Sequence, residues 1–242
     1  MLGFTVATVA GIVVGTINGM AGGASIISYP VLLALGLHPL DATITNAIGT
    51  TSANFVAIRT GRYKIWDLIK TYKFLITISV IGSLIGAGLL LAFPPHVFEH
   101  IVPFLLLGAT LTLLLPTRPT VGKRNETAEA VGVAASGLYC GYFGPGQGVM
   151  VIASLARNPK KPDVMNAAKN VIVGIPSAAS NIVYLLSGRV HWMLAFALFL
   201  GSSVGGALGG RWSTKVSPSF YRGLVMTVGI GASIYLFKRY FF

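Results

Sequence analysis

The chain has 242 residues, of which 54% are hydrophobic and only 10% charged, and its mean hydropathy is +0.75. Soluble chains carry about 25% charged residues, so a water-soluble enzyme or nucleic-acid binder is excluded first. The net charge of +12 would fit a nucleic-acid surface, but the bases fall between apolar runs, where they report membrane topology.

Eight apolar segments follow in chain order: 1–35, 41–58, 72–93, 97–115, 128–156, 164–187, 192–210 and 219–237. Runs of about 17 to 25 such residues match the roughly 30 Å of hydrocarbon in a bilayer. The first has no basic n-region, and the N-terminus is expected to belong to the mature fold. Segments 1–35 and 128–156 differ from the rest in being longer and interrupted. Gly19 to Gly23 breaks one and Gly141 to Gly148 the other, so each is expected to form two half-helices joined by a turn.

Those two breaks are equivalent in an internal repeat. At an offset of 122, Gly15, Gly19 and Gly22 match Gly137, Gly141 and Gly144. Further on, Asn46 matches Asn170, Asn54 with Gly61-Arg62 matches Asn181 with Gly188-Arg189, and Gly82-Ser83-x-x-Gly86 matches Gly201-Ser202-x-x-Gly205. Repeat one is expected over 1–116, a polar linker over 117–127, and repeat two over 128–242.

Charge decides between crossing and turning back. If segment 128–156 re-enters, fourteen of the 18 Lys and Arg residues fall on one side; if it crosses, the split is far more even. Segment 1–35 has no flanking Lys or Arg and is assigned by the repeat. The expected fold is an all-α polytopic membrane protein of two inverted repeats, each a re-entrant helical hairpin plus three transmembrane helices.

Irregular backbone at membrane depth survives only where protein or a watery cavity receives its polar groups. Half-helix N-termini there aim free N–H groups and a positive dipole end at an anion. The expected substrate-binding residues are therefore Gly22, Gly23, Ala24 and Ser25 in one repeat and Gly144, Gly146, Gln147 and Gly148 in the other. Asn46, Thr50, Asn54, Asn170 and Asn181 add side-chain donors, although interhelical hydrogen bonding is their ordinary role. Lys169 is the one charge inside an expected span and would neutralise substrate, or else snorkel to the interface.

Asp41, Asp67, Glu99, Glu126, Glu129 and Asp163 all fall in loops or at segment ends, which leaves no buried carboxylate for a proton relay. The four histidines are dispersed and Cys140 is single, so no metal site, cofactor or enzymatic centre is expected. Trp66, Trp192 and Trp212 mark segment ends as interfacial anchors.

The stretch Gly15 to Leu68 orders a small-residue helix, a Gly-rich turn, a Pro-terminated half-helix, a Gly-Leu-x-Pro loop, an Ala-rich helix and a Gly-x-x-x-hydrophobic-Trp hairpin. It resembles the TauE/SafE sulfite exporter family, and Gly137 to Trp192 resembles it again. The turn here is Met-Ala-Gly-Gly-Ala where relatives often have a longer glycine run, and Pro145 and Gln147 are inserted in the second turn. The resemblance implies a multi-pass cell-membrane transporter that exports small sulfur-containing anions such as sulfite or organosulfonates, and alternating access about a midplane site is the expected mechanism. A passive anion channel and a non-transport scaffold are the rival classes. The expected partners are a small anion and the lipid bilayer, not nucleic acid, with a homo-oligomer left open.

Overall fold

The computed structural model describes residues 1–20, 22–61, 63–114, 125–158, 161–212 and 218–242, and of residues 162, 212 and 218–221 the backbone only. Most of the expected linker, 117–124, lies outside the described residues, as does Arg62 of the Gly61-Arg62 match. The elements are α1 (Leu2–Met20), α2 (Ser25–Ala34), α3 (Pro39–Thr50), α4 (Ser52–Thr60), α5 (Ile65–Ala92), α6 (Pro95–Thr112), α7 (Glu126–Tyr142), α8 (Gln147–Leu155), α9 (Pro162–Leu185), α10 (Trp192–Trp212) and α11 (Pro218–Phe241). Each of the eight apolar segments becomes one helix or one pair of helices. No strand occurs among the described residues.

Among the described residues, three helices are long and apolar enough by themselves to cross a membrane: Leu2–Met20, Ile65–Ala92 and Trp192–Arg211. Segment 41–58 is carried by α3 and α4, which meet at Thr51, a residue whose own dihedrals (φ −61°, ψ −36°) are helical. Segment 164–187 forms the 24-residue α9, where Asn166, Lys169, Asn170, Ser177 and Asn181 dilute the apolar character. The two broken segments are uneven. In each, a long arm, 19 residues in α1 and 17 in α7, precedes a short one of 10 in α2 and 9 in α8. At 1.5 Å per residue the arms of the first measure about 28 and 15 Å, so only the second arm is a half-helix.

Close backbone contacts give the directions. A Cβ added to Gly11 would meet Leu198 O at 2.7 Å, and one on Gly19 would meet Gly206 O and Gly209 at 3.2 Å, so α1 and α10 run parallel. Gly206 lies on Ala53 and Gly210 on Ala57, so α3 and α4 run parallel to α10 as well. The chain must therefore turn back between α1 and α3, and α2 is the returning arm, bringing Leu35 within 3.7 Å of a Cβ built on Gly3. In the second half α8 folds back along α7, with Gly132 against the Ser154 side chain. Both broken segments are hairpins.

The same contacts recur in the two halves. Gly15 approaches Ser202 while Gly137 approaches Ser79, and Gly206 lies on Ala53 while Ser83 Oγ donates to Pro176 O at 3.0 Å. The offsets are 122 and 123, so Ser79 stands where Ser202 does. That corrects the match of Gly82-Ser83 with Gly201-Ser202 by one helical turn. A glycine and serine stripe spaced every four residues matches itself almost as well after such a shift, and only the contacts separate the two registers.

One acid departs from expectation. Glu129 is buried, in the first turn of α7, where Asn158 Nδ2 donates to its carboxylate. The helix N-terminus stabilises a negative charge at that position.

Candidate functional site

The first break begins where α1 ends. Gly22 and Gly23 take φ of +85° and +89°, a region that L side chains avoid. Ala24 supplies no side-chain cap to α2, and Asn18 does so from the preceding helix. Its Oδ1 accepts from Ala24 N at 2.9 Å, and its Nδ2 donates to Ser25 Oγ at 3.1 Å. The second break uses the same backbone conformation at Gly144 (φ +90°) and Gly146 (φ +93°), with Pro145 between them. Here Tyr139 fastens the turn: its carbonyl accepts from both Phe143 N and Gly144 N, and its hydroxyl donates to Pro145 O at 2.7 Å.

The two short helices meet at their N-termini. A Cβ on Gly22 would lie 2.9 Å from Gly148 C and Cα, and one on Gly23 would lie 2.8 Å from Val149 Cγ2. Around this contact is a cavity of about 40 Å³ lined by Gly22, Gly23 and Ser25 from one break and Gly144, Gly146, Gln147 and Gly148 from the other. Asn46, Thr50 and Asn54 of α3 and α4 form one wall, and Lys169, Val173 and Ser177 of α9 form another. At roughly 10 to 15 Å³ per water, the space suits about three waters or one compact ion.

Lys169 is fully buried, and its Nζ donates to Asn18 O in the last turn of α1, where unpaired carbonyls carry partial negative charge. An ammonium has three N–H donors, and Asn18 takes one. Gln147 is 3% exposed, and its side-chain Nε2 has no acceptor. Among the described residues, no carboxylate lines the cavity. Two helix N-termini of about half a charge each, plus the Lys169 amine, thus converge on this space. Like charges so placed repel one another at low dielectric, and one small anion would relieve them.

Of the residues expected from sequence, eleven line this cavity and three do not. Ala24 gives its N–H to Asn18 instead. Asn181 braces the wall from behind, its Nδ2 donating to Thr51 Oγ1 at 2.8 Å. Asn170 faces a separate cavity at the α4 and α10 ends. The wall positions 46, 50 and 54 correspond to 169, 173 and 177, so Asn46 stands opposite Lys169 and not Asn170. Matching Asn to Asn slipped the register by one residue, about 100° around a helix. Sequence reasoning missed Asn18, Cys140 and Phe143 as lining residues. Asn18 is the one amide in α1, and the offset of 122 pairs it with Cys140, which is the signal that would have found both.

The model of the family described as "Sulfite exporter TauE/SafE" matches residues 7–236, nearly the whole chain and every residue of the cavity. The chain belongs to the TauE/SafE family. A relative from Haemophilus influenzae, called a "probable membrane transporter protein", is 28% identical over 235 residues, 89% of this chain and 87% of its own. YfcA of Escherichia coli K12 is 26% identical over 88% of this chain and 82% of its own, and YunE of Bacillus subtilis 26% over 89% and 90%. Both are likewise named probable membrane transporter proteins. This TauE/SafE chain is accordingly a membrane protein of a transporter family, and its apolar helices fit that setting.

Proposed function

We propose that the protein carries a small sulfur-containing anion, sulfite before the bulkier organosulfonates, across the cell membrane by alternating access around the cavity between Gly22 and Gly148. The observation that carries this reading is the convergence of two half-helix N-termini and the buried Lys169 on a cavity without a carboxylate. Its volume of about 40 Å³ favours an anion of a few heavy atoms over one with an organic tail. In this reading the two hairpins re-enter the membrane from opposite sides, the other helices span it, and the two repeats have opposite orientations. Contacts repeated at offsets of 122 and 123 support the repeat, and the family description supports sulfur.

Counterflow of labelled sulfite in proteoliposomes tests the reading. Saturable uptake accelerated by internal sulfite is expected. A current that grows linearly with voltage would instead indicate a pore, and no response to any of sulfite, thiosulfate, sulfate or sulfoacetate would leave a scaffold.

A further inference from the structure

Two further cavities flank the central one. One, of about 430 Å³, lies among Leu37, His38, Asp41, Arg189 and His191; the other, of about 330 Å³, lies among Thr60, Tyr63, Asp163, Asn170 and Arg211. Because α3, α4 and α10 run parallel, the first sits at their starting ends and the second at their finishing ends. The three cavities therefore lie in a row along α3 and α4, at residues 35–41, 46–54 and 57–63.

Each outer cavity is crossed by a bond between the two halves. Arg189 Nη1 and Asp41 Oδ1 are 3.3 Å apart in one, where His191 N also donates to Thr45 Oγ1 at 3.1 Å. In the other, Tyr63 OH donates to Asp163 Oδ2 at 2.7 Å. At the offset of 123 that aligns Pro39 with Pro162, Asp41 and Asp163 fall one residue apart in corresponding helix turns. Both sit in the first turn of a helix opened by a proline, where a carboxylate is favoured. Their partners belong to the matched loops that follow Gly188 and Gly61. The same device thus occurs twice, with donor and acceptor exchanged between halves.

We infer that Asp41–Arg189 and Asp163–Tyr63 are the latches of two gates, one on each side of the anion cavity, and that the structure has both closed. This rests on the alternating-access reading. An exposed ion pair or a single hydroxyl bond is weak enough to open thermally, as a gate requires. The two differ in kind: salt screens the ion pair, whereas the hydroxyl bond does not depend on a second charge.

The test places a cysteine at Thr45, behind the first latch, or at Asn170, behind the second, in a Cys140→Ala background that removes the native thiol, and measures maleimide labelling of the purified full chain. Arg189→Gln should speed labelling of Thr45→Cys by about threefold or more and leave Asn170→Cys slower or unchanged. Asp163→Asn should do the reverse. Labelling that ignores both substitutions, or responds equally at both positions, would overturn the latches. Sulfite counterflow of the parent chain separates the two readings: selective labelling without counterflow keeps the latches and removes the carrier, whereas counterflow with unselective labelling does the opposite.

Discussion

The two hairpin breaks each turn on two left-handed glycines, adjacent in one and separated by Pro145 in the other, and they differ in what closes them. Both have a pair of left-handed glycines, and both start a short helix 122 residues apart, at Ser25 and Gln147. In the first, Asn18 reaches across the gap to Ala24 and Ser25. In the second, Cys140 holds the equivalent position and 3.4 Å separates its Sγ from Ser177 Oγ, while Tyr139 fastens the turn from the other side. The walls differ too, because Asn46 faces Lys169 across the same register. Both halves thus supply a positive helix end, and among the described lining residues the charged side chain, Lys169, belongs to the second half. A symmetric site would have had two cations or none. One suits a single small anion.

Substitutions at the glycines should break the comparison most. Gly22→Ala combines a left-handed φ with a backbone 2.9 Å away, whereas Gly144→Ala has the same φ but meets only Cys140 O at 3.3 Å. The left-handed region costs about 1 to 2 kcal/mol in each, and the clash adds to the first alone. The unfolding midpoint in detergent should fall by about 5 °C for Gly144→Ala and at least twice that for Gly22→Ala. Equal losses would mean that the two helix ends do not abut in the membrane.

Lys169→Met comes next, since it removes the charge that distinguishes the halves. It should weaken sulfite-induced thermal stabilisation by about tenfold or more in apparent affinity. Its ligand-free midpoint should not fall, because no buried carboxylate loses its partner. Unchanged stabilisation by sulfite would remove Lys169 from the site.

Asn18→Ala and Cys140→Ala form a matched pair. The first leaves Ala24 N uncapped and should cost about 1 to 2 kcal/mol; the second should cost less than about 1 kcal/mol, as Cys140 caps nothing. Chemical denaturation of both variants would show whether the closures differ as the hydrogen bonds indicate. The smallest effect has a mixed sign. Gln147→Leu removes a buried amide without an acceptor, so the ligand-free protein should gain up to about 1 kcal/mol while anion binding weakens. A loss in both would mean that the amide is satisfied within the protein.

Much of the fold was legible because membrane solvent is simple. Length and hydropathy located all eight segments, and glycine pairs located both breaks. The first arm was misread as a half-helix: the break at Gly19 to Gly23 leaves 18 residues before it, and at 1.5 Å per residue that is about 27 Å, the length of a full crossing. Register was the other failure. Matching like with like aligned Asn46 with Asn170 and Ser83 with Ser202, but packing aligns Asn46 with Lys169 and Ser79 with Ser202. Side-chain identity drifts between duplicated halves, whereas close backbone contact does not tolerate a slip. Asn18 escaped notice for a related reason, its counterpart being a cysteine.

The sequence alone determined the membrane setting, the glycine breaks and Lys169 as the one charge inside an apolar segment, because each follows from composition or from spacing along one chain. The tertiary structure decided which of the polar residues meet. Lys169 and Asn170 are neighbours in sequence, yet one reaches the central cavity and the other a cavity beside it. A helix turns about 100° per residue, and the packing of α9 against α5, α4 and α8 fixes which face looks inward.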